Sequence, residues 1–375
     1  MNYSQAEKSV NKSQLNFCKL EETSQILRSF IPCGKIALFA DESVDFSKIL
    51  KIKSSLKGFE SYLALVRENE NFSGIFSLPD EVRAVIAVGS NAVKVARYFC
   101  TLRGAYCIFV ATEAQMAGAF EKLVNFCTGK AHTLYPANEP DAVILDLNFI
   151  KGVENAYGSL ALCAVTHLEF EINSVFSGGF LNSCYQLIFN LSQTLNSSDI
   201  KGVLNLYYQL KTAQKQIKEQ APSQVFCKLL QTESKISNAQ ASYFTYVYFL
   251  KTYKDFFENA NPRTFFVPDY ANRIRKCARI SGVDERTLFL KNKVPDIKKC
   301  DSLLNTFQES RKSFSIKCET AFSYFEKIKE QLFSFGVKIP QIESEIYQTL
   351  FSITAELSDI LSVQSLMRDF GLLKK

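Results

Sequence analysis

The sequence predicts a doubly wound α/β domain over residues 1–150, followed by an all-helical domain over residues 151–375. Two observations lead to this prediction. Five short, continuous apolar runs lie between residues 35 and 147, and segments of helical length separate them. Continuous runs are typical of strands buried on both faces of a parallel sheet, and their alternation with helices is typical of a doubly wound domain. Beyond about residue 152, apolar residues recur only at helical spacing.

In the first domain we predict strands at residues 35–41, 62–68, 84–90, 106–112 and 142–147. The helices predicted between them cover residues 46–58, 91–104 and 115–129. In such a domain the ligand crevice opens at the carboxyl ends of the strands. We therefore expect a site there, facing a crevice between the two domains.

In the second domain we predict helices at residues 156–172, 184–195, 203–220, 241–257, 270–282 and 319–336. The chain has 32 phenylalanines and 16 tyrosines but no tryptophan, so phenyl rings must fill much of this core. Residues 243–250, YFTYVYFL, are aromatic on every face of a helix, which predicts burial all round.

Composition narrows the classes of protein. The chain of 375 residues is 47% hydrophobic and 22% charged, which is typical of globular domains. Its net charge of +6 comes from dispersed lysines, so we do not expect nucleic acid as a partner. The sequence has no apolar run of about 18 residues and begins with a polar segment, so we predict a cytoplasmic protein with no membrane span. Its 11 cysteines form no CxxC pair, which favours buried thiols over disulfides.

One turn carries a first sign of chemistry. Gly89 and Ser90 follow a predicted strand and precede a predicted helix. Backbone N–H groups at such a position can hold a phosphate, although Gly-Ser is also a common turn.

Three segments in order resemble one enzyme family. Residues 82–99 (VRAVIAVGSNAVKVARYF), 106–120 (YCIFVATEAQMAGAF) and 140–150 (PDAVILDLNFI) resemble the N-terminal domain of sn-glycerol-1-phosphate dehydrogenases. These enzymes belong to the dehydroquinate synthase-like and iron-containing alcohol dehydrogenase superfamily. The resemblance extends to residues 156–172 and to the C-terminal residues 365–375. It implies a dehydroquinate synthase-like fold, with NAD or NADP as candidate cofactor.

The resemblance also implies which residues face a cofactor. In the family the glycine-rich turn holds the pyrophosphate, and here Asn91 or a gap replaces its second glycine, while Lys94 replaces an aspartate. Lys94 could attract phosphate or be a solvated helix residue. Asp41 matches a position near the adenosine ribose, but it could equally cap a helix or a turn. The implied cofactor-binding residues are Asp41, Gly89, Ser90, Asn91, Thr112, Gln115 and Met116.

The metal-binding pattern of the family is altered. Family members bind one divalent zinc or iron ion through an aspartate and two histidines, and the ion polarises the reacting hydroxyl or carbonyl. The matching positions are Ser159, Gln220 and Asn238, and a shifted alignment places Phe226 or Cys227 at the first histidine. Neutral oxygen donors bind zinc or iron poorly, so we expect no divalent metal.

The chain has only two histidines, and neither restores the pattern. His132 lies before the last predicted strand and outside any ligand motif. His167 lies eight residues after Ser159, and we predict that it is a core or interface histidine, not a metal ligand. The sequence shows no His-x-x-x-His, Cys-x-x-Cys, G-x-S-x-G or P-loop pattern, so we assign no catalytic residue.

Three functions follow from this resemblance. The first is a degenerate family member that keeps the fold, with nucleotide binding as a candidate activity, and has lost or reduced metal-dependent hydride transfer. The second is an active NAD(P)-dependent oxidoreductase acting on glycerol phosphate or a small polyol. The third is a metal-independent, dehydroquinate synthase-like lyase. The implied partners are a nucleotide and a phosphorylated polyol, and a homo-oligomer is compatible with the sequence.

Overall fold

The computed structural model describes residues 14–67, 77–116, 118–128, 131–179, 183–194, 196–214, 217, 219–262, 269–292 and 300–373. The chain divides into two compact units. Unit 1 extends to Val153 and unit 2 begins at Glu154.

Unit 1 contains a six-stranded sheet in which every pair of neighbouring strands is parallel. The strand order is β1-β8-β5-β4-β2-β3. The strands are β1 (Gln14–Asn16), β2 (Gly34–Asp41), β3 (Phe59–Val66), β4 (Val82–Val88), β5 (Tyr106–Val110) and β8 (Ala142–Ile144). All five predicted apolar runs form strands of this sheet, and its short edge strand β1 was not predicted.

The central strands are apolar because both of their faces are covered. Every residue of β4 except Arg83 is buried, and β2 is buried from Ile36 onward. The described residues of this unit form the helices α1 (Thr23–Arg28), α2 (Phe46–Ser55) and α3 (Ser90–Arg103). The Asp45 carboxylate caps α2 by accepting a hydrogen bond from the Ser47 amide at 2.9 Å.

One predicted helix of unit 1 is wrong. Residues 115–129 were expected to form a helix, but the segment turns and then enters an antiparallel hairpin of β6 (Leu123–Thr128) and β7 (Ala131–Pro136). Met116 and Gly118 have positive φ angles of 48° and 78°, which an α-helix does not accept. From Leu123 to Phe126 exposed and buried residues alternate, which is the period of a strand.

The strand order brings the ends of β2 and β4 together. From β2 the chain moves to one side of the sheet, to β3, and then returns to the other side, to β4. The loops after β2 and β4 therefore diverge at a topological switch point, which is where ligands bind in open α/β sheets.

In the described residues of unit 2, all regular secondary structure is helical. Its helices are α4 (Val153–Ser177, which starts at the unit boundary), α5 (Ser183–Thr194), α6 (Ile200–Gln214), α7 (Pro222–Ser234), α8 (Asn238–Asn259), α9 (Tyr270–Ser281), α10 (Glu285–Lys291), α11 (Cys300–Ser334), α12 (Ser344–Leu357) and α13 (Val363–Asp369). The predicted fold class, a parallel-sheet α/β part followed by an all-helical part, is confirmed.

Aromatic rings fill the core of unit 2 as predicted. Between Tyr243 and Leu250 in α8, no side chain is exposed. Phe249 contacts the rings of Phe226, Tyr253 and Phe351, with ring centroids 5.0–5.5 Å apart. None of the helices in the described parts of the chain is both long enough and apolar enough to span a bilayer.

Candidate functional site

The switch point of unit 1 is organised around Asp41, the last residue of β2. Its carboxylate accepts hydrogen bonds from the amide of Asn91 at 3.1 Å and from the amide of Ala92 at 2.5 Å. Both amides belong to the first turn of α3, where N–H groups have no partner within the helix. Asp41, at the end of β2, thus caps α3. Its carboxylate occupies the helix N-terminus, where an anionic ligand would otherwise bind.

Gly89 makes this approach feasible. Its φ angle is 103°, which other residues rarely adopt, and a Cβ atom added there would lie 2.4 Å from Asp41 Oδ2. Burial raises the pKa of Asp41, while hydrogen bonds from the amides of Asn91 and Ala92 oppose that rise. The hydrogen bonds of Asp41 are those of a helix cap, and its role at the ribose stays a prediction.

The remaining residues of the predicted cofactor set follow β5, the strand beside β4. The Gly89 amide donates to the Val110 carbonyl at 3.4 Å, so the ends of β4 and β5 lie at the same edge of the sheet. Thr112 is half-buried, and its carbonyl accepts from the Lys151 amide at 3.0 Å. Gln115 is half-buried and Met116 is buried.

The loop after β5 also packs onto the start of α3. A Cβ atom on Gly118 would lie 2.8 Å from Lys94 Cγ and 2.9 Å from the Ser90 carbonyl oxygen. Lys94 therefore packs along this loop and is not a wholly solvated residue. As arranged, the turn does not fit a pyrophosphate, because its N–H groups already bind the Asp41 carboxylate and Gly118 lies against its first residues.

Unit 2 contains a cavity of about 250 Å³, and all the predicted metal-family positions except Phe226 line it. Ser159 comes from α4, Gln220 from the segment before α7, Cys227 from α7 and Asn238 from the start of α8. The lining is completed by Leu162, Cys163, Thr166, Tyr185, Lys211, Gln214, Ile217, Glu219, Gln224, Lys228, Gln231 and Ser242.

Amides and hydroxyls in the wall of this cavity bind one another. Gln231 Nε2 donates to Asn238 Oδ1 at 2.6 Å, and Asn238 Nδ2 lies 3.5 Å from Ser159 Oγ. Gln224 Nε2 donates to the Tyr185 hydroxyl at 2.5 Å. Gln220 is held by its backbone, which exchanges two hydrogen bonds with Asp359 at 2.8 and 2.9 Å.

The structure distinguishes Phe226 from Cys227, the two residues that the shifted alignment offers for the first histidine. Phe226 is fully buried, stacks on Tyr248 and makes an edge-on contact with Phe249, so it belongs to the core. Cys227 lines the cavity and lies 3.5 Å from the Ser242 hydroxyl. Burial raises the pKa of the Cys227 thiol, so it is a neutral group near pH 7.

The donors of this cavity do not suit zinc or iron. The three positions that would carry an aspartate and two histidines carry a hydroxyl and two amides, which bind these ions weakly. Among the described residues, no three His, Cys, Asp or Glu side chains converge closely enough to hold a metal ion. No reaction step through a metal follows from this arrangement.

His167 does not supply the missing donor. The His132 side chain lies outside the described part of the structure. His167 is buried in α4, packs on the Phe189 ring and lies 3.8 Å from Glu171. Burial lowers the pKa of its imidazole, as in a core histidine.

Two lysines and one glutamate, Glu219, are the charged residues of the cavity lining, and sequence reasoning missed all three. Lys211 comes from α6 and Lys228 from α7. The Lys211 ammonium lies over the Tyr207 ring, with Nζ 5.3 Å from the ring centroid. Burial lowers the pKa of Lys211, and the charge of Lys228 lowers it further. Two lysines against the single carboxylate of Glu219 leave the lining with a net positive charge, which favours an anionic ligand.

A buried carboxyl group behind the cavity was also missed. Glu169 of α4 is fully buried, and it accepts hydrogen bonds from the hydroxyl groups of Ser223 at 2.5 Å and Tyr253 at 2.6 Å. Burial raises the pKa of Glu169 to about 7, while the Ser223 and Tyr253 hydrogen bonds oppose the rise. The helical pattern of residues 156–172 hides this glutamate among apolar residues, so only the tertiary structure reveals it.

Comparisons with known proteins bear on the fold. No protein-family model matches the sequence, and no curated protein matches it. A 1,3-propanediol oxidoreductase structure is similar at 11% identity and a TM-score of 0.51, covering 97% of each chain. A glycerol dehydrogenase from Schizosaccharomyces pombe (14% identity, TM-score 0.46) covers 89% of this chain and 94% of its own. An alcohol dehydrogenase from Oenococcus oeni (12%, TM-score 0.47) covers 96% and 98%.

The chain therefore has the dehydroquinate synthase-like fold of the iron-containing alcohol dehydrogenase type. Its architecture is a parallel-sheet unit followed by a helical unit, and unit 2 contains a polar cavity lined by Ser159, Gln220 and Asn238.

Proposed function

We propose that this protein is a degenerate relative of the glycerol-1-phosphate dehydrogenases. In this proposal the cavity of unit 2 binds a small anionic polyol, such as a phosphorylated one, and metal-dependent hydride transfer is lost. The observation that carries the proposal is the set of groups lining that cavity. Ser159, Gln220 and Asn238, which the sequence resemblance matches to the metal ligands of the family, line it, and Lys211 and Lys228 supply positive charge beside them.

The chemistry of these groups supports binding more than redox catalysis. Side-chain amides and hydroxyls can bind the hydroxyl groups of a polyol, and lysines can bind a phosphate. Hydride transfer from an alcohol requires stabilisation of an alkoxide, which a metal ion provides in the family. Neutral amides at these positions stabilise that charge far less.

Nucleotide binding is less strongly supported than binding of an anion in the cavity of unit 2. NAD or NADP would need the first turn of α3, whose amides bind Asp41. A dinucleotide would therefore have to displace a carboxylate with its own pyrophosphate, so we expect its affinity to be low.

The binding proposal is tested by calorimetric titration of the full chain with glycerol-1-phosphate and with inorganic phosphate. We expect binding that Lys211→Met weakens by roughly 10- to 100-fold, since a charged hydrogen bond is lost. Lys201 lies exposed on the same helix and does not line the cavity, so Lys201→Met is the matched control. Equal effects of the two substitutions, or no binding of either ligand, would refute an anion site in this cavity.

The redox part is tested by metal analysis and by assay of glycerol-1-phosphate oxidation with NAD or NADP. We expect no stoichiometric zinc or iron and no stimulation by either ion. Tight zinc binding that Asn238→Ala abolishes, together with metal-stimulated turnover, would establish instead an active NAD(P)-dependent oxidoreductase. Turnover of a phosphorylated sugar acid without nucleotide reduction would favour the lyase.

A gain-of-function variant tests the positions themselves. The triple substitution Ser159→Asp, Gln220→His and Asn238→His should create a zinc site, because all three residues line one cavity. We expect stoichiometric zinc in this variant, and none when Gln220→His is replaced by Phe226→His, since Phe226 is buried in the core.

A further inference from the structure

The buried Glu169 is connected to the cavity by two hydroxyl groups. Thr166 lines the cavity, and its Oγ1 lies 3.1 Å from the Ser223 hydroxyl. The Ser223 hydroxyl in turn lies 2.5 Å from Glu169 Oε2. These residues belong to α4 and α7, and the result is a continuous chain of hydrogen bonds from the cavity wall to a carboxyl group that has no contact with solvent.

The direction of this chain is fixed by the protonation state of Glu169. When the carboxylate is ionised it can only accept, so Ser223 donates to Glu169 and Thr166 donates to Ser223. Thr166 then offers only an acceptor oxygen to the cavity. When Glu169 carries a proton on Oε2, it donates to Ser223, Ser223 donates to Thr166, and the Thr166 O–H is free to donate into the cavity.

The remaining bonds of Glu169 do not oppose this reversal. The Ser223 amide and the Tyr253 hydroxyl both donate to the other oxygen, Oε1, at 3.0 and 2.6 Å, and the Ser223 amide has a longer contact of 3.3 Å with Oε2. Both bonds survive protonation at Oε2. The Tyr253 hydroxyl also lies 3.0 Å from Gln364 Oε1, a second acceptor for its single proton, and the shorter distance is the one to Glu169.

We propose that Glu169 acts as a proton-controlled positioning residue that sets whether Thr166 presents a donor or an acceptor to a ligand in the unit 2 cavity. The inference deepens the proposed function and rests on it. An anion is then bound more tightly when Glu169 is protonated. A proton that reaches Thr166 reverses the chain: the proton of Thr166 passes to Ser223 and that of Ser223 passes to Glu169.

Other titratable groups near this chain behave differently over the relevant range. Tyr185 and Tyr253 face Glu169 from α5 and α8, and burial raises the pKa of both phenols, so they stay neutral. Burial raises the pKa of Cys318, near Tyr253, to about 12. On α4 itself, the His167 pKa is lowered by burial.

Groups facing the cavity add a background of their own. Cys163 and Cys227 are thiols whose pKa is raised by burial. Lys211, whose pKa is lowered, can lose charge at high pH, and Lys228 and Glu219 carry charge beside it. The experiment must therefore separate the contribution of Glu169 from that of the lysines.

The test measures sulfate affinity by calorimetry from about pH 5.5 to 8.5, because sulfate does not change charge over this range. For the wild type we expect roughly ten-fold tighter binding at the acid end, the effect of one hydrogen bond to a charged group. Glu169→Gln places an amide donor toward Ser223 and should hold the high-affinity state at every pH. Thr166→Val should lose the acid-dependent gain while keeping the lysine-dependent background.

Thr245→Val is the matched control, since Thr245 is a buried threonine whose hydroxyl donates to the Ala241 carbonyl and which does not line the cavity. It should retain the wild-type pH dependence. A Glu169→Gln variant whose pH dependence equals that of the wild type would overturn the proposal.

A second measurement distinguishes this inference from the proposed function. The infrared band of a protonated carboxylic acid should be present near pH 6, vanish in Glu169→Gln and shift in Thr166→Val. If sulfate and phosphate fail to bind but the band behaves as expected, the anion site is wrong and the hydrogen-bond chain stands. Absence of the band in the wild type refutes the proton-controlled chain, whatever the cavity binds.

Discussion

At the scale of single residues, Asp41 shows how one carboxylate can decide the use of a helix end. The first turn of α3 has the free amides and the preceding glycine that phosphate sites require. Asp41 binds two of those amides, and Gly89 is the residue that lets it come so close. The same turn can serve a ligand only when this carboxylate leaves.

We predict that Asp41→Ala increases the affinity for NADH or inorganic pyrophosphate and lowers the free energy of unfolding by about 1–2 kcal/mol, the usual cost of a lost helix cap. NADH fluorescence titration and urea unfolding measure the two effects. Asp45→Ala, which removes the cap of α2, is the control: it should cost similar stability and leave the nucleotide affinity unchanged. Tight NADH binding by the wild type that Asp41→Ala abolishes would instead place Asp41 on the ribose.

The raised pKa of Glu169 predicts how the free energy of unfolding depends on pH. Its folded pKa is raised to about 7 from an ordinary value of 4.5, so the folded state binds this proton more tightly than the unfolded state. The stabilisation is fully present below about pH 4.5 and is lost as the pH rises through about 7. It amounts to about 3 kcal/mol in total, at 1.36 kcal/mol per pKa unit.

We expect Glu169→Gln to remove this slope, as measured by the difference between wild-type and variant unfolding free energies from about pH 4.5 to 8. The difference is needed because burial also raises the pKa of Asp41, Asp141 and Asp369, and those groups contribute slopes of the same sign. A difference that stays constant with pH would show that Glu169 titrates at its ordinary pKa.

At the scale of elements, the hairpin β6–β7 depends on one buried arginine. Arg97 of α3 is 1% exposed, and its guanidinium donates to the carbonyls of Gly118, Glu121, Ala137 and Asn138. These carbonyls lie just before β6 and just after β7. The rings of Tyr98, Phe126 and Tyr135 pack together on the same side, so α3 holds both ends of the hairpin.

We predict that Arg97→Met destabilises the protein by roughly 3 kcal/mol or more, because buried carbonyls lose their donors. Urea unfolding measures the loss, and proteolysis should then cleave near residues 118–122 or 137–140 first. Arg83→Met, at an exposed arginine on β4, should change stability by less than about 0.5 kcal/mol. Similar losses from both variants would exclude a specific role of Arg97.

The elements also show what sequence patterns reveal. The five apolar runs predicted the sheet correctly because burial on both faces leaves no other pattern. The segment 115–129 misled because its apolar residues fit a helix nearly as well as a strand, and the positive φ at Met116 is invisible in the sequence. Among the lining residues, Lys211, Lys228 and Thr166 could not be predicted, since three separate helices bring them together.

At the scale of the whole molecule, each unit keeps its own polar network inside its own core. The Asp41 and Arg97 bonds lie within unit 1, and those of Glu169 and Asn238 lie within unit 2. The cysteines whose side chains are described are all free thiols, and Cys33 is the exposed one. Stability therefore derives from packing and hydrogen bonds in the described residues.

We predict that a thiol reagent applied to the native protein reacts fastest with Cys33, because thiols such as Cys163 are buried and have a raised pKa. The fast phase should be absent in Cys33→Ser, and denaturant should release the slower thiols. The midpoint of thermal unfolding should be the same with and without a reductant. A large shift caused by the reductant would reveal a disulfide.

The Tyr253 hydroxyl, which donates to Glu169, also gives the molecule an optical property. An excited phenol is a stronger acid than its ground state, so it readily passes its proton to a neighbouring carboxylate, and its emission is quenched. The chain has no tryptophan, so tryptophan fluorescence does not cover the tyrosine emission. Emission from Tyr253, taken as the spectrum of the wild type minus that of Tyr253→Phe, should therefore brighten when Glu169 becomes protonated, which makes the interior proton visible without a label.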